Sequence, residues 1–205
     1  MRELRFFWDY MSEQVDHLRR VLQLLRRRRI RYALVGGHAV SFHWKPRLTV
    51  DIDFLVPERA LAGLERALPE QGFVGQRRGE VLRVWNAGAD PKEADPVVDF
   101  VPAEHNRTQH EALRTALDAV YQELAVRVVT RPALVALKFL SATSATRAVG
   151  DKHQDLADLA HLVQQAWSPA DAREARRLIE LSHPGGGSDL DRLIGDVLAG
   201  RPITV

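Results

Sequence analysis

The stretch that most constrains this chain is residues 32–56, YALVGGHAVSFHWKPRLTVDIDFLV. An apolar run ends at Gly36-Gly37, a short segment follows and stops at Lys45-Pro46, and a second apolar run, Val50 to Val56, carries Asp51 and Asp53. Proline disfavours helix in the residue before it, so the pattern predicts strand, glycine turn, short helix and second strand. Side chains two apart on a strand share a face, with Cα atoms about 6.5–7 Å apart. Ile52, Phe54 and Val56 are then left for a core. Two carboxylates set that close repel each other, and a core has no use for them. A hard divalent cation that prefers oxygen ligands, magnesium or manganese, resolves the conflict. A Gly-Gly turn opening a helix offers free N–H groups and the positive end of the dipole to a phosphate. Taken alone, Gly-Gly is more often a tight turn, and Asp-x-Asp a solvated edge. The combination, with thirteen residues between Gly37 and Asp51, points to a magnesium–triphosphate site.

A second strand reads the same way. In VVDFV, residues 97–101, Asp99 stands alone among apolar neighbours. A carboxylate in such a strand is costly unless it is paired or bound to metal, which makes Asp99 the natural third ligand. The alternatives are a solvent-facing edge residue, or pairing with one of the many arginines. Arg47, just before the carboxylate strand, suits a bidentate contact to phosphate or a structural ion pair. Lys138 lies within the otherwise apolar helix VALKF, where it either snorkels or serves chemistry. Lys152, Asp155 and Asp158 have helical spacing, and Lys152 with Asp155 forms a plausible i,i+3 pair. His38 and His43 lack a third ligand nearby and read as polar surface or substrate contacts.

GGHAV…PRLTVDIDFLV resembles the signature of the nucleotidyltransferase superfamily, the polymerase-beta-like fold. Within it, the chain is most similar to the bacterial group of abortive-infection AbiEii-type toxins and related small nucleotidyltransferases. In that group GG-x-A…R-x-T-x-D-h-D is followed by a helix with A-L-K and then by K-x-x-D-x-x-D-L. Both later motifs occur here, as VALKF with Lys138 and as KHQDLADL with Lys152, Asp155 and Asp158. The resemblance runs in order over about residues 15–165. It implies metal ligands at Asp51, Asp53 and Asp99, and phosphate contacts at Gly36, Gly37 and Arg47. It also implies a cleft position for Lys138, contacting phosphate or acting as general base, and for Asp155 and Asp158 facing it.

The remaining chain frames this site. With 205 residues, 45% hydrophobic and 27% charged, it suits one sizeable domain or a small catalytic domain with a helical appendage. No cysteine is present, which excludes disulfides and thiolate zinc sites and fits a reducing cytoplasm. No run approaches eighteen apolar residues, so no membrane span is expected. Residues 1–31 hold nine arginines against Glu3, Asp9, Glu13 and Asp16. The run Arg26–Arg29 with Arg31 is either a solvated helix end or a surface that steers a polyanion such as RNA.

Periodicity predicts helices over 12–29 (capped by Ser12), 38–43, 58–71, 107–124, 130–145, 151–165, 168–182 and 189–199. Strands are expected at 31–35, 50–56, 72–76, 81–86, 97–101 and 125–129. HPGGGS, residues 183–188, reads as a flexible hinge. The fold class expected is α/β (α+β): a small mixed sheet flanked by helices over 1–129, then a C-terminal helical domain over 130–205, with the nucleotide in the cleft between them. The expected function is metal-dependent transfer of a nucleoside monophosphate from a triphosphate to an acceptor, RNA, tRNA or protein. The chain would then be the toxin of a toxin–antitoxin pair with a cognate antitoxin. The alternative is a catalytically silent binding or antitoxin module.

Overall fold

The computed structural model describes residues 2–47 and 49–203, with side chains from residue 12 onward. Glu3 and Asp9, weighed above against the arginines, therefore fall outside the described side chains. The chain forms two compact units that alternate along the sequence: Met1–His38, Leu48–Ala103 and Asp118–Val128 make the first, and Ala39–Arg47, Glu104–Leu117 and Val129–Val205 the second.

The first unit is built on a mixed seven-stranded sheet. Its strands are β1 (Ala33–Val35), β2 (Ile52–Val56), β3 (Phe73–Arg78), β4 (Val81–Asn86), β5 (Val98–Pro102), β6 (Leu117–Tyr121) and β7 (Leu124–Val128). Their order is β3-β4-β5-β2-β1-β7-β6. β2 lies antiparallel to β1 and parallel to β5. The period-2 pattern of β2 sets its register, because a one-residue slip would turn Phe54 to the wrong face. Ile52 pairs with Val98 and Phe54 with Phe100, and the two phenyl rings stack at 5.8 Å. All four side chains are buried. The same register sets Asp53 opposite Asp99 on the other face.

Helix α1 (Arg2–Arg27) buries Leu18, Val21, Leu22 and Leu25 at helical spacing, with Val15 half-buried. It begins ten residues before Ser12, which is therefore an interior position and not the cap. His17 and Arg20 both meet the Phe73 ring, Arg20 at 4.2 Å from its centroid. Arg20 also donates to the Gln71 carbonyl at 2.8 Å. α3 (Glu58–Ala67) follows Pro57 and passes into a 3-10 turn, Leu68–Gln71, that ends at Gly72 in the left-handed region.

The expected helix over 107–124 is overturned. α4 (Arg107–Arg114) ends at Thr115, and residues 117–121 form β6 at the sheet edge. Leu117 and Val120, which a helix there would have to bury, are exposed, Val120 at 71%. The hairpin turn to β7 runs through Gln122 and Glu123, both at positive φ, +48° and +62°. Such a turn favours glycine or asparagine, so the sequence carries no signal for it.

The second unit is helical: α4, α5 (Arg131–Thr143), α6 (Val149–Gln164), α7 (Pro169–Glu180) and α8 (Gly186–Leu198). Three of its helices start on side-chain caps. Asn106 accepts from the Gln109 N–H, Thr130 from that of Ala133, and Ser168 forms a capping box with Asp171. The HPGGGS segment is not a hinge. Glu180 accepts from the N–H groups of Gly185 and Gly187, at 2.8 and 3.0 Å. A Cβ on Gly186 would sit 2.1 Å from His183 Cδ2. The glycines are there because the start of α8 packs against the end of α7.

Among the described residues, no helix is long and apolar enough to cross a membrane.

Candidate active site

The first unit brings three carboxylates together. One oxygen from each of Asp51, Asp53 and Asp99 lies within 4.8 Å of the others, and all three residues are half-buried. Asp53 and Asp99 are placed by the β2–β5 ladder. Asp51 is placed differently from the expectation, in a bend before β2 and not within the strand. It reaches the cluster through the turn, whose backbone carbonyl at Val50 accepts from Gln14 of α1 at 3.0 Å.

Asp99 is the strained member. Burial raises its pKa to about 6; Arg83 opposes the rise and the Asp51 charge adds to it. Its Oδ2 has Arg83 Nε at 3.7 Å, and its Oδ1 is buried without a hydrogen-bond partner among the described residues. An orphaned carboxylate oxygen beside two further carboxylates suits a hard cation, since only oxygen donors converge there.

Gly36 completes this corner. It opens α2 (Gly36–His43) at φ +63°, and a Cβ there would stand 1.8 Å from Asp53 Oδ2. Both the backbone conformation and the contact exclude a side chain. Gly37 follows in the first turn of α2 and is buried. His38, expected as polar surface or a substrate contact, is buried too, with Nδ1 3.1 Å from the Tyr121 hydroxyl.

The second unit gathers the other expected residues into a separate cluster. Lys138 is buried at 8% exposure and does not snorkel. Its Nζ lies 2.7 Å from Asp155 Oδ1 and 2.8 Å from Asp158 Oδ2. Arg47 Nη2 donates to Asp158 Oδ2 at 2.9 Å, and Arg147 Nε to Asp155 Oδ2 at 2.8 Å. Gln154 supplies the remaining bond, to Asp158 Oδ1 at 3.0 Å. Burial alone would raise the Asp155 pKa, but Lys138, then a hydrogen bond from Ser141, then Arg147 outweigh it and hold the carboxyl below its usual range. The ion pairs of Asp155 run to Lys138 and Arg147, not to Lys152. His43 Nε2 donates to the Val129 carbonyl at 2.7 Å, which makes Nε2 the protonated nitrogen. Burial depresses its pKa.

Two residues escaped the sequence reading. Arg83 sits at the polar position of a strand, VLRVWN, where one arginine between apolar residues was the available signal. Arg147 precedes α6 in a polar loop and carries no such signal.

Residues 23–193 match the family described as nucleotidyl transferase AbiEii toxin, type IV toxin–antitoxin system. Among solved structures, the chain is similar to an antigenic nucleotidyltransferase-like protein from Paracoccidioides brasiliensis. The TM-score is 0.55 at 18% identity, over 88% of this chain and 93% of that one. It is also similar to the antibiotic-resistance factor ANT(2'')-Ia, in solution (TM-score 0.53, 14% identity, 93% and 91% covered) and in complex with adenylyl-2"-tobramycin (0.52, 16%, 92% and 98%). At these identities the likeness is one of fold. No curated protein matches the chain by sequence. Because the family match spans well over half of the residues, the chain belongs to the AbiEii nucleotidyltransferase toxin family.

Proposed function

We propose that the protein transfers a nucleoside monophosphate from a nucleoside triphosphate to an acceptor hydroxyl, with a divalent cation held by Asp51, Asp53 and Asp99. The observation that carries this reading is the convergence of those three carboxylates within 4.8 Å, next to a glycine that Asp53 leaves no room to replace. Magnesium or manganese bound there would supply Lewis-acid stabilisation of the charge that builds on the transferring phosphoryl group.

The chain's own residues account for the rest. Gly36 and Gly37, at the start of α2, would meet phosphate oxygens through their backbone N–H groups. The acceptor oxygen attacks the α-phosphorus in line, a new P–O bond forms, and the bond to the β-phosphate oxygen breaks to release pyrophosphate. Asp99 Oδ1, buried without a hydrogen-bond partner among the described residues, would hold the cation, and the acceptor proton would pass to solvent water. Lys138 and Arg47, cations of the second unit, would serve as phosphate contacts, with Asp155 and Asp158 orienting them.

The acceptor we favour is RNA, including tRNA, ahead of protein. Arg27, Arg29 and Arg31 are exposed, whereas Arg26 and Arg28 are engaged by the Ala125 carbonyl and Glu70. Exposed guanidinium groups of this kind steer polyanions. The same reading makes the chain the toxin of a pair with a cognate antitoxin, acting in the cytoplasm.

The test is to incubate the protein with each α-labelled nucleoside triphosphate, magnesium, and total RNA or cell lysate, beside Asp53→Ala. Label on an RNA or protein band that is lost in the variant and with chelator is the expected result. Transfer that persists in Asp53→Ala would refute the assignment.

A further inference from the structure

Arg83 stands opposite Asp99 in the β4–β5 ladder, and Asp99 opposite Asp53 in the β5–β2 ladder. Residues paired this way project from the same face, so guanidinium and carboxylates form one row across the sheet. The contact is loose. Arg83 Nε is 3.7 Å from Asp99 Oδ2, beyond hydrogen-bonding distance, and Asp99 Oδ1 has no partner among the described residues. The two side chains also differ in freedom. That of Arg83 is 45% exposed and that of Asp99 14%, so a long, solvated stem faces a carboxylate fixed by its strand.

Charge explains why an arginine belongs there. Three carboxylates packed within 4.8 Å repel one another, and one adjacent cation lowers that cost by Coulomb attraction. A tight bidentate fork would block the carboxylate. A single long contact leaves its oxygens uncommitted.

We propose that Arg83 is a built-in competitor for the divalent cation at Asp99: it screens the triad, gives way when a cation loads, and so sets the cation concentration at which the site fills. It is a positioning residue, acting on the cation through Asp99. The inference rests on the reading of the triad as a cation site.

The test is manganese binding to the full chain by calorimetry at pH 8, without nucleotide, in wild type, Arg83→Gln, Arg83→Met, Arg83→Lys and Asp53→Asn. Circular dichroism would check that each variant is folded. Removing a unit positive charge beside a divalent ion in a water-like dielectric is worth roughly tenfold in affinity. Arg83→Gln and Arg83→Met should therefore bind manganese about tenfold tighter, and Arg83→Lys within about twofold of wild type. A merely structural Arg83 would leave affinity unchanged or weaken it. That result, with binding still lost in Asp53→Asn, would overturn the competitor role and leave the triad reading intact. No manganese binding by wild type, or equal binding by wild type and Asp53→Asn, would overturn both.

Discussion

The molecule carries two carboxylate clusters, and they are built on opposite principles. In the second unit Asp155 and Asp158 are almost fully buried, yet each of their four oxygens has a partner among Lys138, Arg47, Arg147 and Gln154. In the first unit Asp51, Asp53 and Asp99 are only half-buried and converge on one another, with Arg83 at 3.7 Å from Asp99. Greater burial goes with complete compensation, and lesser burial with an excess of negative charge. A closed network stabilises because its charges are matched. An open one stores repulsion that a ligand relieves, which is why we propose the open cluster as the catalytic one.

The contrast is broken most sharply by deleting a carboxylate from each. Asp53→Ala should lower label transfer by roughly 10³-fold or more while leaving the melting temperature of the chelator-treated protein equal or higher, since a repulsive charge is gone. Asp158→Ala leaves Lys138 buried beside one carboxylate fewer, and should cost about 3–5 kcal/mol of stability, read by urea or thermal unfolding. A destabilised Asp53→Ala with an unaffected Asp158→Ala would reverse the assignment of the two clusters.

Gly36→Ala should act on both stability and transfer. Its φ of +63° alone costs an alanine about 1–2 kcal/mol, and the new Cβ must push Asp53 aside. Denaturation midpoints and the transfer assay would report the two effects separately.

Acid titration should move the clusters in opposite directions. The folded Asp99 has a pKa raised to about 6, so it favours the folded state at low pH, and that contribution is lost as pH rises from its unfolded value of about 4 through 6. Asp155 is depressed; its contribution is present above about 4 and is lost as pH falls below that. In chelator, Asp99→Asn should therefore gain stability over wild type between pH 4 and 7, and Asp155→Asn should lose its deficit only at the acid end. Melting temperatures across that range would show it.

The smallest effect tests the fold. Val120→Thr on the exposed edge strand should change stability by less than about 0.5 kcal/mol. A value of several kcal/mol would mean that the residue is buried, as a helix through 107–124 requires.

Much of this was legible in the sequence for a physical reason: both clusters violate the patterning around them. Asp99 between Val98 and Phe100, and Lys138 between Leu137 and Phe139, are charges where the period calls for apolar groups, and such violations stand out without a structure. Glycine in front of Asp53 was legible as a turn, although its close approach to that carboxylate depends on strand pairing across eighteen positions or so of chain. What stayed hidden obeyed no local rule. Gln122 and Glu123 turn a hairpin without glycine, so β6 continued the apparent period of α4. Arg83 occupies an ordinary polar position of a strand, and only the register with Asp99 gives it meaning.

The most direct measurement is calorimetric binding of a nucleoside triphosphate analogue with a nonhydrolysable α–β bridge, with magnesium and with chelator, to wild type and to Asp53→Asn. Binding by wild type that requires magnesium and is lost in Asp53→Asn is the predicted result. Equal binding with chelator, or equal binding by Asp53→Asn, would contradict the assignment of the Asp51–Asp53–Asp99 cluster as the site of nucleotidyl transfer.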